Sequence, residues 1–310
     1  MAHHVFKPTV YHNTFAEHSV ALSVAPGDTV ETTTVDAAGR DATDEQITPR
    51  GNPMTGPFAV VGAEPGDAIT VRVSKLEPNR RTGWASTRLA PNTLDPEFVA
   101  EFRDEEGAAR VTWRIDREHG RVVLDGGVAG IEGYSLPLAP MLGCLGVAPQ
   151  GHQAISTATS AEHGGNMDYR GIGAGVTMRF PVFAPGGLFF LGDGHAVQGA
   201  GEMAGTGVET SFDVAFEVGL IKYDGRDQVR WPRGEDEHDL FTLGNARPLD
   251  QAAQNATTEM TRWLMNGYGL SFEAASVIIG QAAEYKVGNM FDPAYTVVCL
   301  VPKAVLPGGR

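Results

Sequence analysis

Cysteine is nearly absent from this chain, with only Cys144 and Cys299 among 310 residues. The two lie far apart and fit no metal-type spacing. No disulfide framework is expected, and a reducing, cytoplasmic setting follows as the expectation. Basic residues are also scarce. Twenty-four Lys and Arg against 38 Asp and Glu leave a formal charge of −14, which repels phosphate backbones and argues against nucleic acid as a partner. Long apolar runs are missing too: none nears the ~20 residues that cross a bilayer. The N-terminal MAHHVFKPTV lacks the apolar core of a secretion signal, so no membrane partner is expected. There is no G-x-S-x-G elbow and no Ser-rich glycine stretch, which removes the usual serine nucleophiles. Cys144, in PMLGCLGVAP, has no neighbouring base and reads as a buried thiol.

What the chain has in quantity is punctuation. Thirty-nine glycines and 19 prolines favour short strands joined by turns over long helices. Two stretches, 20–35 and 58–76, each place β-branched residues around a Pro-Gly-Asp turn, at Pro26-Gly27-Asp28 and Pro65-Gly66-Asp67. DPEFVAEF reads as a short helix, and VTWRIDREHGRVVL as a hairpin. Strands are expected at 176–183, 187–191 and 210–222, the last alternating apolar and polar residues from Phe212 to Val218. Helical spacing appears only near the end, over 249–265 and, with Ser271 as N-cap, to about residue 283. TVVCLVPKAVL then closes the chain as a strand. The expectation is one unit over 1–310, with a β-rich body at 1–245 and a helical hairpin plus closing strand at 246–310.

Two glycine-rich segments concentrate polar groups. In LFFLGDGHAVQGAGE a buried strand runs into Asp193 and His195. If the strand persists, its period of two points both side chains to one face, and an oxygen beside an imidazole suits Zn²⁺. Glu202 returns after a glycine bend as a third ligand or a general base. In the segment AEHGGNMDYRG, Asn166 offers the donor and acceptor that a primary amide needs, and Asp168 could ligate a cation or orient a histidine.

NPMTGPFAVVGAEPGDAITVRV, PMLGCLGVAP, HGGNMD and GDGHAVQGAGE, in this order, resemble the acetamidase/formamidase family over nearly the whole chain. The resemblance implies a mainly β fold, a jelly-roll-like β-sandwich body with a smaller α+β part. It also implies hydrolysis of short aliphatic amides to a carboxylate and ammonia. It brings in Asp36, in VDAAG, as a further candidate ligand beside Asp168, Asp193 and His195. On this reading a divalent metal, Zn or alternatively Ca, activates water, Glu202 shuttles the proton, and Asn166 and Gln198 bind the amide head. The sequence departs from the family at Ala200, where an Asp is common. Two alternatives stand beside this reading: a non-catalytic β-rich binding or assembly protein, and a hydrolase of urea, carbamates or larger amides. A homo-oligomer is expected because sheet edges need cover.

Overall fold

The computed structural model describes residues 1–101, 109–126 and 128–307. Two large sheets carry the structure. The first has nine strands, in the spatial order His3–Val5, Thr29–Thr33, Phe212–Ile221, Ala68–Pro78, Thr177–Pro181, Arg233–Glu235, Asp239–Ala246, Tyr295–Pro302 and Glu284–Val287. The second runs from Ser135–Pro137 through the hairpin Arg110–Asp116/Arg121–Asp125 and Thr82–Ser86 to a central strand, Phe189–His195. That strand is flanked by Met141–Gly146, Glu209–Thr210 and Thr55–Val60. The fold is thus mainly β with helices near the C-terminus, as expected. The end of the DPEFVAEF reading lies outside the described residues, which hold a helix over Pro96–Glu101.

The Pro-Gly-Asp segments are corners between the sheets. Asp28 N–H donates to the Ala25 carbonyl (2.9 Å) across Gly27, whose φ of +91° suits the third position of a type II turn. Leu22–Val24 before it pairs in the second sheet, whereas Thr29–Thr33 after it pairs in the first. Pro65-Gly66-Asp67 repeats the move between Thr55–Val60 and Ala68–Pro78, with Asp67 N–H on Glu64 at 3.0 Å. Each aspartate caps its own turn, which is the ordinary structural use of such a residue.

Between the sheets sits one apolar core. Phe58 and Phe189 from the second sheet meet Phe216 from the first at ring-centroid distances of 5.2 and 5.6 Å. Period-two alternation selects these faces, since Phe212, Val214, Phe216 and Val218 are all buried while Glu217 is exposed. The predicted first helix forms as Leu249–Arg262 and continues as a wider π turn over Trp263–Gly267. Ser271 caps the second helix, Phe272–Ala282, by accepting from Ala274 N–H at 3.2 Å. Ala256, Met260, Trp263 and Leu264 bury against Leu240, Cys299 and Val301 of the sheet.

One buried ion pair fastens helix to sheet. Arg233 donates through Nε to Glu259 (2.7 Å) and through both terminal nitrogens to Asp227 (2.7 and 3.0 Å), and Arg233 and Glu259 are wholly buried. Removing only the cation strands a carboxylate in the interior, which costs about 3–5 kcal/mol. Arg233→Met is therefore expected to lower the urea unfolding free energy by about that amount. A loss below about 1 kcal/mol would show that Glu259 finds another partner.

Candidate active site

The central strand does not stop at Leu191 but runs on to His195, so Asp193 and His195 both reach the interior. They do so with a twist that the alternation argument omits. Asp193 has φ +53°, and the pairing register with Met141–Gly146 skips it, linking Cys144 to Gly192 and Leu142 to Gly194. Asp168 (φ +46°) and Glu202 (φ +44°) share this left-handed backbone. Such backbone is costly for residues with a side chain and persists where the surroundings enforce it. Of the seven non-glycine residues with positive φ among the described residues, these three and Asn52 meet at one place.

That place is a buried cluster of five carboxylates and one imidazole. Three overlapping groups, Asp168–Asp193–His195, His195–Glu202–Glu209 and Asp168–Glu202–Asp292, each bring their ligand atoms within 4.8 Å of one another. All six residues are at most 5% exposed. Asp168 Oδ1, Asp193 Oδ1, His195 Nε2, Glu202 Oε2 and Glu209 Oε2 have no hydrogen-bond partner. Glu209 Oε1 does lie 2.9 Å from His195 Nε2, but away from the line of the ring N–H. Unit charges of one sign 4.8 Å apart repel by roughly 3–4 kcal/mol at an effective dielectric of about 20, so the cluster cannot hold all its charge unaided. The donor set, carboxylate oxygens with one imidazole nitrogen, therefore fits a divalent cation.

Backbone geometry makes room for this convergence. A Cβ on Gly143 would sit 2.3 Å from Asp168 Oδ1 and 3.1 Å from Asp193 Oδ2, so only glycine lets the two acids close over it. A Cβ on Gly207 would lie 2.6 Å from the His195 ring. The loop at 199–205 is tied to the segment that carries Asp292 by Gly201 N–H on the Gly288 carbonyl (3.0 Å) and by Met290 N–H on Gly201 (2.8 Å).

The other expected site residues take distinct places. Gln198 Nε2 donates to the Asp168 carbonyl (2.7 Å), which turns its Oε1 toward His195 Nδ1, also at 2.7 Å. Nδ1 must then donate, leaving the lone pair of a neutral ring on Nε2, aimed at the carboxylates. Gln198 is thus engaged at both ends with protein groups, behind the histidine. Asn166 lines the cavity beside the cluster, accepting from Asn52 Nδ2 (3.2 Å) and donating to Asp292 Oδ2 (2.7 Å). Asp36 stands apart from all three groups, contrary to its expected place among the ligands. Four donors saturate it: Arg80 Nη2 at 2.7 Å, Trp84 Nε1 at 3.1 Å, and the Ala38 and Arg40 N–H groups at 3.0 and 2.9 Å. Ala200, where the sequence departs from the family, is exposed. Cys144 is buried, and burial pushes its thiol up.

Sequence reasoning missed Glu209, Asp292 and Asn52. The cavity they line with Asn166, Asp193 and Glu202 has a volume of about 350 Å³, and Arg50, Trp84 and Arg110 also contribute to its wall.

Burial raises the carboxyls of Asp168 and Glu202 well above the ordinary range, with Glu202 and Asp292 respectively adding to the effect, and lifts Glu209 and Asp292 to about 7. His195 is raised despite its burial, because Glu209 and Asp193 favour its cation. His163, buried against Phe15, is instead pushed down to about 4 by desolvation and stays neutral.

Between about pH 4 and 7 the folded chain therefore binds more protons than the unfolded chain, whose carboxyls titrate near 4. Stability from these raised groups is present at low pH and lost as pH rises through about 7. The melting temperature of metal-free protein is expected to fall from pH 5 to pH 8, and saturating divalent metal should flatten the slope; a rise instead would contradict these shifts. Gly143→Ala should cut metal affinity, measured by calorimetric titration, by tenfold or more, and unchanged affinity would mean that the two acids can part without cost.

The model of the Acetamidase/Formamidase family matches residues 5–152 and 150–306. The structure is similar to the acetamidase from Yersinia enterocolitica, with a TM-score of 0.84 and 31% identity, covering 99% of this chain and 93% of that one. It is also similar to a protein of Thermoanaerobacter tengcongensis described as a predicted acetamidase/formamidase, with a TM-score of 0.83 and 29% identity over 100% and 99% of the two chains. The acetamidase of Mycolicibacterium smegmatis is 25% identical over 248 residues, which cover 63% of this chain. The chain spans 51 to 65% of the length of the curated relatives it matches. With a family model matched along nearly its whole length, this chain belongs to the acetamidase/formamidase family.

Proposed function

We propose that the protein hydrolyses primary amides of carboxylic acids to the carboxylate and ammonia, with a divalent cation at the acid cluster. The observation that carries this reading is the set of five orphaned, buried ligand atoms beside a cavity of about 350 Å³ in a member of this family. Asp168, Asp193 and His195, joined by Glu209, would hold the ion, which leaves Glu202 for proton transfer. Its single imidazole ligand favours Zn over Ca, since calcium takes oxygen ligands. When bound, the cation supplies a lowered pKa for water and polarisation of the amide carbonyl.

The remaining work falls to the chain's own groups. Gln198 fixes the ring of His195 so that Nε2 faces the cluster, and thereby acts as a positioning residue rather than a contact to the amide head. Asn52 and Asn166 orient each other and Asp292 at the cavity wall, and Asn166 keeps a second N–H for the substrate carbonyl. Glu202 Oε2, unpartnered on the cavity wall with a raised pKa, can take a proton from water and hand it to the departing nitrogen. That transfer is essential, because an amide nitrogen leaves only as a neutral amine.

Ammonia release from acetamide, propionamide and larger amides tests the reading. Exhaustive chelation should abolish it and Zn²⁺ should restore it. Glu202→Gln should lower kcat by about 10²–10⁴-fold with retained fold. Full turnover in rigorously metal-free protein, or by the Gln variant, would overturn the assignment.

A further inference from the structure

A second, larger cavity of about 760 Å³ adjoins the acid-lined one. The two share Trp84, Arg110, Gly205, Thr206 and Phe291, so they meet along one rim. Their chemistry is opposite. The inner chamber presents the asparagines and carboxylates, whereas Leu89, Ala90, Pro91, Leu94 and Val99 line the outer one. Leu89 is 50% exposed and Phe291 42%, so apolar surface is left for an occupant to cover.

The shared rim is built to stay in place. Trp84 is held from behind by Asp36, which Arg80 and two backbone N–H groups lock in turn. Arg110 lies over the Trp84 ring with its guanidinium carbon 3.8 Å from the centroid. Thr206 Oγ1 accepts from Ser86 N–H at 2.9 Å, pinning the loop after Glu202 to the strand that carries Trp84. Phe291 directly precedes Asp292, so one segment gives a carboxylate to the inner chamber and an aromatic ring to the outer.

Building on the amidase reading, we infer that the outer chamber receives the acyl group of the substrate, so that the preferred substrates are primary amides of medium-chain aliphatic or arylalkyl acids. A formyl or acetyl group would leave this space empty. A chain of several carbons, with its amide among the acids, passes the shared rim at Trp84 and Phe291 and buries itself against Leu94 and Val99.

The test uses the intact zinc-loaded protein and a ladder of unbranched amides from acetamide to octanamide, with 4-phenylbutyramide beside them. kcat/KM is expected to rise about three- to fourfold per added methylene until the chamber is full. Leu94→Trp and, independently, Val99→Trp fill the chamber and should lower the hexanamide-to-acetamide ratio of kcat/KM at least tenfold. If acetamide is hydrolysed but kcat/KM is flat or falls with length, the acyl chamber is refuted and the amidase reading stands. If no amide of any length releases ammonia, the amidase reading fails, and this inference with it.

Discussion

Five carboxyl groups converge on one imidazole in the interior of this protein, and their mutual repulsion is the constraint to which the surrounding structure answers. Left ionised, such a cluster would favour opening the fold. Two means of relief are available: protons, which the raised carboxyls and the raised His195 retain, and a cation, for which the orphaned oxygens are already arranged. The left-handed backbone at Asp168, Asp193 and Glu202 is a second cost borne at the same point. The phenylalanine-rich core between the sheets supplies the stability that lets both costs be tolerated.

Positioning is layered outward from the cluster. Gln198 sets the histidine, and the Asn52–Asn166–Asp292 chain sets one wall of the cavity. Asp36, with Arg80 behind it, sets the Trp84 wall without entering the cluster. An aspartate that the family resemblance offers as a ligand thus sits behind the cavity wall, where its carboxylate, met by four donors, fixes the Trp84 ring.

Much of this was legible because glycine and polar residues cluster locally. HGGNMD and GDGHAVQGAGE supplied Asn166, Asp168, Asp193, His195, Gln198 and Glu202 to one region, and the β-rich body followed from alternation and turn chemistry. Glu209 escaped because the expected strand begins at Thr210 and its alternation at Phe212, which left Glu209 as an ordinary polar residue just before a strand. Asp292, before a proline, and Asn52, in Gly-Asn-Pro, carry the composition of surface turns. Only long-range pairing separates a buried acid from a turn former, and no local window contains that information. The same blindness hid the role of the Pro-Gly-Asp segments: their turns were readable, but not that each passes the chain from one sheet to the other.

The cluster draws on positions 168, 193, 195, 202, 209 and 292, joined by strand pairings and loop ties distant in sequence. Even His195, Glu202 and Glu209, which are close in sequence, meet only once the strands pair and the loop at 199–205 is tied down, and Asp168 and Asp292 come from far along the chain. On the proposed reading, an ion would therefore meet its full donor set only after the sheets have closed around their aromatic interior.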